Sequence, residues 1–314
     1  MEKIIRIGTR DSELALWQAH HVQQKLEALG YKTELVSVKS TGDLILDKPL
    51  YEMGITGIFT KTLDIAMING VVDIAVHSMK DVPTRLPHNI VQAAVLKRAP
   101  SEDIFVHNPV ENLEDRLNSA ENTIATGSLR RKAQWLHRYP KHNFVDLRGN
   151  VNTRLQKLKD SDWTGAIFAK AGLQRINLIP NNHIELGWMI PAPAQGAMVV
   201  VAMENDTFCL ETCAKLNDSS SEIATTVERE FLNKLEGGCT APIGALAQIK
   251  DQELHFEAAL FSLDGTKKIG VNKTINLSNT ANFGKLCAIE VLENGGKALM
   301  AEIKSILNTE TEAL

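Results

Sequence analysis

Residues 71–83 read VVDIAVHSMKDVP and join an apolar segment to a charged one. The apolar, β-branched first half is typical of a buried strand. Pro83 disfavours helix in the residue before it, so Lys80 and Asp81 are expected on extended or turning backbone. Ligands of open α/β sheets bind outside the carboxyl ends of the strands, and a neighbouring lysine favours an ionised aspartate. The stretch therefore predicts either a ligand-facing carboxylate or a solvated surface ion pair.

The composition is that of an ordinary globular protein of two or three domains. The chain has 314 residues, of which 44% are hydrophobic and 23% are charged. The net charge of −4 offers no overall basic field to nucleic acid, so positive charge for an anionic ligand must be gathered locally. The first residues contain no signal-peptide core, and no run of about 18 apolar residues could span a membrane. The four scattered cysteines favour a reducing cytoplasm.

The order of predicted elements favours α/β lobes. A strand over residues 4–7, a helix capped by Asp11 or Ser12 and a strand over residues 33–38 predict a parallel sheet. The glycine-containing segment 42–59 lacks a sustained period and is expected to be a mobile lid. The strand pattern restarts after Pro100 and predicts a second lobe.

The later part of the chain predicts a return to the first lobe and then a further domain. Residues 198–203 form an apolar strand that is expected to complete the first sheet. Beyond it, a helix over residues 219–235, alternating strands and a helix from about Asn282 predict an α+β domain. The predicted domains are residues 1–97 with 198–216, residues 98–197 and residues 217–314.

Basic residues recur where predicted strands end. Each follows an apolar run and precedes a predicted helix, so all are expected to face one cleft between the lobes. They are Arg10, Lys80, Arg130, Arg131, Arg148 and Arg175, with Arg154 one turn into the helix that follows Arg148. Arginine binds carboxylates through paired hydrogen bonds, which favours a small polyanionic ligand. The alternative is a set of separate, solvated surface arginines.

Cys239 lies in a segment whose composition predicts an exposed loop. Residues 236–242 read EGGCTAP, and two glycines before the thiol and a proline after it allow close approach of a ligand. The thiol is then a candidate nucleophile or attachment point, although an inert buried cysteine stays an alternative. Cys209, Cys213 and Cys287 are interpreted as packing residues. No metal site is predicted.

The sequence resembles the hydroxymethylbilane synthase family, also called the porphobilinogen deaminase family. The resemblance rests on HSMKDVP at residues 77–83, GNVNTRL at 149–155, AGL at 171–173, Glu228-Arg229 and EGGC at 236–239, in the family's order along almost the whole chain. It implies two periplasmic-binding-protein-like α/β lobes around a cleft, plus a smaller C-terminal α+β domain. It also implies stepwise deaminative polymerisation of four porphobilinogen molecules, followed by hydrolytic release of linear hydroxymethylbilane.

The resemblance further implies the roles of individual residues. Asp81 would be the catalytic aspartate, and Cys239 would carry a dipyrromethane cofactor through a thioether. Further contacts to the cofactor would be made by Lys80, Asp81, Thr126, Ser128, Arg130, Arg131, Arg148 and Gly172. The substrate would be bound by Arg10, Ser12, Arg148, Arg154, Arg175 and Gln195. A cytoplasmic monomer without nucleic-acid or membrane partners is expected.

Three positions depart from the family's pattern. Thr56 stands where the family usually has a loop lysine, which leaves Lys61 as the cation at the end of that loop. Pro193-Ala194 replaces Val-Gly, and Gly127 replaces a serine. The competing interpretations are a non-catalytic two-lobed binding protein for a small anion and a cysteine-dependent hydrolase with His77 or His137 as base.

Overall fold

The computed structural model describes residues 3–38, 60–119, 122–235 and 241–312, with side chains up to Thr309. The elements of the first part of the chain are β1 (Ile4–Thr9), α1 (Glu13–Ala28), β2 (Lys32–Ser37), α2 (Lys61–Ile68), β3 (Ile74–Ser78) and β4 (Ile90–Val95). They are followed by β5 (Asp103–His107), α3 (Leu113–Asn118), β6 (Thr123–Ala125), α4 (Leu129–Arg138), β7 (Asn143–Val145), α5 (Val151–Lys159), β8 (Gly165–Ala169), α6 (Lys170–Arg175) and β9 (His183–Glu185). The last elements are β10 (Met198–Met203), α7 (Thr207–Ala214), α8 (Ser219–Lys234), β11 (Ile243–Lys250), β12 (Glu253–Phe261), β13 (Lys268–Asn276), α9 (Phe283–Val291) and α10 (Lys297–Glu312).

The first sheet has the strand order β2-β1-β3-β10-β4. β10 runs antiparallel to both of its neighbours, whereas β1 pairs in parallel with β2 and β3. The predicted parallel pairing holds for β1, β2 and β3 but does not extend to β10. The chain re-enters this sheet at Met198, opposite Ser78 at the carboxyl end of β3, and can only run back along it.

The second sheet repeats this topology with the order β7-β6-β8-β5-β9. Its antiparallel strand is β5, which is the first strand after the chain leaves the first lobe. The carboxyl ends of β1 and β3 in one lobe and of β6, β7 and β8 in the other carry the loops that build the site. The predicted class, two α/β lobes with a small C-terminal sheet domain, is confirmed.

The C-terminal domain packs helices on one antiparallel sheet, β11-β12-β13. Its core contains Phe231 of α8, Phe256 of β12 and Phe283 of α9, whose rings meet edge to face. The helix predicted from about Asn282 is interrupted, because Gly295 adopts a φ of +102° and separates α9 from α10. The predicted domain boundaries at residues 97, 198 and 217 stay predictions.

Two crossing segments join the lobes, and a buried glutamate of the C-terminal domain binds both. Glu228 is fully buried, and its carboxylate accepts from Nη1 of Arg98 at 2.6 Å in the first crossing and from the amide of Ala194 at 2.6 Å in the second. Gly196 has a φ of +87°, and a Cβ there would lie 2.5 Å from the carbonyl oxygen of Ala99. Only glycine allows the two crossings to approach so closely.

No helix among the described residues is both long and apolar enough to cross a membrane.

Candidate active site

The backbone that carries Lys80 and Asp81 turns sharply, as the sequence predicts. β3 ends at Ser78, residues Met79–Asp81 form one 3₁₀ turn, and the backbone is extended again at Val82. Met79 and Val82 are buried on either side of the charged pair. Burial of these two apolar side chains fixes the turn, so that Lys80 and Asp81 stay at the carboxyl end of the strand.

Arg229 of α8 holds this turn from the C-terminal domain. Its Nη1 donates to the carbonyl oxygens of Met79 and Val82 at 3.2 and 2.9 Å, and its Nη2 donates to that of Pro83 at 2.6 Å. Such bonds from a charged donor are stronger than neutral ones. The sequence contains Arg229 in a family motif but gives no sign of this positioning role.

Asp81 borders a small pocket whose walls come from the β1–α1 connection, α1, the start of α2 and β3. The pocket is lined by Arg10, Ala15, Gln18, Thr60, Val76, His77, Ser78 and Asp81. Nε2 of Gln18 donates to Oγ of Ser78 at 2.8 Å and fixes one wall. Burial, together with the nearby Arg10, lowers the pKa of His77 to about 3. A neutral imidazole therefore lines the same pocket as an arginine and a carboxylate.

A buried aspartate that the sequence analysis missed organises the other wall of the cleft. Asp103, at the start of β5, accepts from Nη1 of Arg130 at 2.7 Å and from Nη2 of Arg131 at 2.8 Å. Nε2 of Gln195 also donates to Asp103 at 2.9 Å. Burial alone would raise the pKa of Asp103, but the two arginines outweigh it and hold that pKa below its usual range.

The two arginines are further fixed by backbone carbonyls. Arg130 donates to Ile190 and Arg131 donates to Ile167, both at 2.9 Å. Both side chains are buried, so they form part of the wall rather than a solvated surface. The one signal for this arrangement was the acidic pair Glu102-Asp103 immediately before an apolar strand.

Gln195 connects the lobes at the base of the cleft. While its Nε2 donates to Asp103, its Oε1 accepts from Nζ of Lys80 at 3.1 Å. Burial lowers the pKa of Lys80 to about 8, and Arg131 lowers it too, whereas Asp81 acts in the opposite direction. Lys80 of the first lobe thus lies within the electrostatic field of the second lobe.

Arg148 and Arg154 are placed on the same side of the cleft. Arg148 is buried beyond β7, and Nε of Arg154 donates to the carbonyl of Gly149 at 2.7 Å. Burial lowers the pKa of Arg154 to about 10, Arg131 and Arg148 lower it too, and Asp81 opposes them. The structure therefore brings Asp81 of one lobe together with the arginines of the other.

Arg175 differs from its prediction. It was expected at a strand end, but it lies in the last turn of α6, because Lys170 is the residue that follows β8. Its Nη2 donates to the carbonyl of Gly196 at 2.7 Å, and its guanidinium lies 5.8 Å from the ring centroid of Trp17. Burial lowers the pKa of Arg175 to about 10.

The small residues of the predicted site lie at helix starts around the cleft. Ser12 precedes α1 and Ser128 precedes α4, and neither side chain caps its helix. Ser12 is the N-cap residue of α1, as one of the two predicted options, but its side chain makes no capping bond, and Asp11 accepts from Oγ of Ser37 instead. The hydroxyl of Thr126 accepts from the amide of Ser128 at 3.3 Å.

Gly172 lies on α6 where that helix faces the first lobe. A Cβ at this position would come within 3.7 Å of Leu14 in α1.

Several predicted residues lie outside the described residues. These are Cys239, the lid segment 42–59 and its Thr56. Lys61 is described and begins α2. α8 ends at Lys234, five residues before Cys239 in the sequence.

The other cysteines are buried thiols, as predicted. Burial raises the pKa of Cys209 and of Cys213 to about 12 and that of Cys287 to about 11. They therefore stay protonated and unreactive at neutral pH.

The Asp103 carboxylate should be essential to stability. We expect Asp103→Asn to lower the free energy of unfolding by about 3–5 kcal/mol, since it leaves buried arginines without their counter-charge. Unfolding in urea measures this change. Glu185→Gln, which removes the exposed partner of Lys170, is the control and should cost less than about 1 kcal/mol. Equal effects of the two substitutions would contradict the central role of Asp103.

Comparisons with known proteins agree on one family. A family model described as "Porphobilinogen deaminase, dipyromethane cofactor binding domain" matches residues 5–211, and one described as "Porphobilinogen deaminase, C-terminal domain" matches residues 223–293. A porphobilinogen deaminase of Campylobacter curvus is 41% identical over 98% of this chain and 99% of the relative. One of Francisella tularensis subsp. novicida is 40% identical over 95% of this chain and 99% of the relative.

Among solved structures, the BvgS VFT2 domain of Bordetella pertussis matches with a TM-score of 0.41 and 11% identity, over 68% of this chain and 86% of that one. An ancestral cationic amino acid solute binding protein matches with a TM-score of 0.42 and 14% identity, over 68% of this chain and 87% of that one. Because two family models together match most of its length and relatives about as long are 38–41% identical to it, the chain belongs to the porphobilinogen deaminase family.

Proposed function

We propose that this chain is a hydroxymethylbilane synthase, in which Asp81 is the catalytic acid–base residue and Cys239 holds the cofactor. The enzyme removes ammonia from four porphobilinogen molecules, joins them in a chain on dipyrromethane and releases linear hydroxymethylbilane by hydrolysis. The observation that supports the residue assignment is the position of Asp81 on a fixed turn, in the same pocket as Arg10 and within electrostatic range of Arg154.

The cleft suits a cofactor that carries several carboxylates. Burial and repulsion by neighbouring arginines lower the pKa values of Lys80 and Arg154. Bound carboxylates would raise these pKa values again, because a nearby negative charge favours the charged form of each side chain. The buried Nε of Arg130 also has no hydrogen-bond partner among the described residues. We propose that the cofactor is held by Lys80, Asp81, Thr126, Ser128, Arg130, Arg131, Arg148 and Gly172. When bound, dipyrromethane supplies the free pyrrole carbon to which the first substrate is joined.

Cys239 is proposed as the covalent attachment point. The buried thiols of Cys209, Cys213 and Cys287 are poor candidates, since burial keeps them protonated. Cys239 follows two glycines, which let the backbone approach a ligand closely. Cys239 lies five residues after the end of helix α8 in the sequence, and Arg229 of that helix holds the turn of Asp81. A covalent tether keeps the growing chain on the enzyme between additions.

Asp81 is proposed to stabilise the positive charge that develops when ammonia leaves the substrate. A carboxylate close to the pyrrole N–H groups accepts their hydrogen bonds, and these strengthen as the ring becomes cationic. The fixed 3₁₀ turn holds the Asp81 side chain in place before the substrate arrives. The same carboxylate can take up the proton that the attacked pyrrole carbon loses.

The remaining arginines are proposed to bind the carboxylates of the incoming substrate. The proposed substrate contacts are Arg10, Ser12, Arg148, Arg154, Arg175 and Gln195. Arg10 borders the pocket of Asp81, and the fork of a guanidinium binds a carboxylate through two bonds. Binding the ring by its carboxylates orients the aminomethyl carbon toward the growing chain.

The test of the function is to supply porphobilinogen to the purified holoenzyme and to measure ammonia and bilane together. The account expects one ammonia for each porphobilinogen consumed and one linear tetrapyrrole for every four. A non-catalytic binding protein would bind porphobilinogen without releasing ammonia, and that result would overturn the proposal.

Lys80 should give the activity an alkaline limit. Its pKa is about 8 in the free cleft and rises when a carboxylate is bound, so Lys80 loses its charge as the pH increases above 8, and kcat/KM should fall by up to about tenfold per pH unit in that range. Lys80→Arg should keep its charge further into the alkaline range, because the buried arginines of the cleft have pKa values of about 10. Profiles of kcat/KM between pH 7 and 9.5 compare the two enzymes. Identical profiles would remove Lys80 from carboxylate binding, since titration of the substrate amine affects both equally.

We also propose that the protein is a cytoplasmic monomer without nucleic-acid partners. Cys209, Cys213 and Cys287 are free thiols, which suits a reducing compartment. The net charge of −4 disfavours non-specific binding to nucleic acid. Light scattering after size exclusion tests the monomer, and a dimer mass would contradict it.

A further inference from the structure

A second cavity lies between α4 and the C-terminal sheet, away from Asp81. It has a volume of about 280 Å³. We call it the α4 pocket; its lining residues are Gln134, His137, Arg138, Trp188, Phe261 and Lys268. Phe261 and Lys268 face each other as partners on β12 and β13. The pocket thus has one wall from the second lobe and one from the C-terminal domain.

The α4 pocket combines aromatic faces with uncompensated positive charge. The guanidinium of Arg138 lies 5.2 Å from the ring centroid of Trp188, and Nζ of Lys268 lies 5.7 Å from that of Phe261. No lining residue is acidic, and within the described part of the chain neither Arg138 nor Lys268 pairs with a carboxylate. Cations without a counter-charge beside a cavity attract an anion.

The walls of the pocket are fixed before any ligand binds. Gln134 exchanges two hydrogen bonds of 2.8 Å with the backbone of Ile190. Nδ1 of His137 donates to the carbonyl of Gly265 at 2.7 Å. Gly265 has a φ of +76°, and a Cβ there would lie 2.5 Å from the amide of His137, so the hairpin packs directly on α4. A preformed site avoids the cost of ordering its side chains on binding.

We propose that the α4 pocket binds a small planar aromatic carboxylate. The ring would pack against the aromatic side chains of Trp188 and Phe261, and the carboxylate would bind Arg138 and Lys268. A neutral ring would leave both cations without a counter-charge, and an anion without a ring would lack the apolar contact with the aromatic side chains. The site is distinct from the proposed active site, which lies at the opposite end of α4, where Arg130 and Arg131 bind Asp103.

Titration of the holoenzyme with benzoate and phthalate tests the proposal. Calorimetry should show saturable binding of both, and Trp188→Phe should remove the accompanying quenching of tryptophan fluorescence while preserving the affinity. Benzamide, which lacks the charge, and acetate, which lacks the ring, should bind at least about tenfold more weakly. Absence of saturable binding, or equal binding of acetate and benzoate, would overturn the proposal.

Variants that remove one charge show whether the ligand binds in the α4 pocket or in the cleft, whose arginines could also bind aromatic acids. Arg138→Gln and Lys268→Gln should each weaken binding by about tenfold. Lys267→Gln is the matched control, because Lys267 neighbours Lys268 in sequence but pairs with Glu302 and does not line the pocket. Unchanged affinity in both pocket variants would place the ligand elsewhere and refute the α4 pocket.

Discussion

Asp81→Asn is expected to lower kcat by about 10²–10³-fold while leaving the fold intact. The amide has the shape of the carboxylate but no charge with which to stabilise the developing cation. Because the arginines that bind the substrate remain, KM should change much less than kcat. Steady-state kinetics give both constants, and circular dichroism and urea unfolding show whether the fold is preserved.

The control for this substitution is Asp162→Asn, which removes an exposed carboxylate outside the cleft. It should leave kcat unchanged within experimental error. Asp81→Glu serves as a second comparison, since it keeps the charge and moves it by one methylene, and it should retain more activity than the amide. An Asp81→Asn enzyme with near-normal kcat would remove Asp81 from the proposed role.

Cys239→Ala should abolish turnover, because without the thiol nothing holds the cofactor between additions. Its intact mass should equal the mass of the bare polypeptide even after incubation with porphobilinogen. Cys213→Ala is the matched control: this thiol is buried and its pKa is raised to about 12, so its removal should leave the adduct in place. An adduct that persists in Cys239→Ala would assign the attachment to another residue.

The fold could be predicted where local sequence and final structure agree. The apolar run before Lys80 forms β3, and Pro83 marks the extended backbone after the turn. The strand at residues 198–203 was also predicted, but its antiparallel direction relative to its neighbours was not. The direction of β10 depends on where the chain returns from the second lobe, and no local pattern records that.

For the charged residues, too, the local sequence predicted positions but not long-range partners. Their presence at the cleft was predictable from repeated positions after apolar runs, but their partners were not. Asp103 is 27 residues from Arg130 and 92 residues from Gln195, and only the folded sheet brings these groups together. Arg175 was misplaced because it lies six residues beyond the end of β8, in the last turn of the short helix α6.

Helix α8 gives the three domains a common element. Glu228 binds the two crossing segments, and the adjacent Arg229 binds the turn of Asp81. We therefore expect any movement of the C-terminal domain to shift both the crossing segments and the turn that carries Asp81.

The most direct measurement of the central claim is the intact mass of the purified protein before and after a brief exposure to limiting porphobilinogen, with peptide mapping of the modified residue. The account predicts a species heavier than the polypeptide by one dipyrromethane on the peptide containing Cys239. Further species should follow at steps of one porphobilinogen less one ammonia, and Asp81→Asn should not form them at a comparable rate. A wild-type protein that keeps the mass of the bare chain after this exposure, or an adduct on a different peptide, would contradict the account.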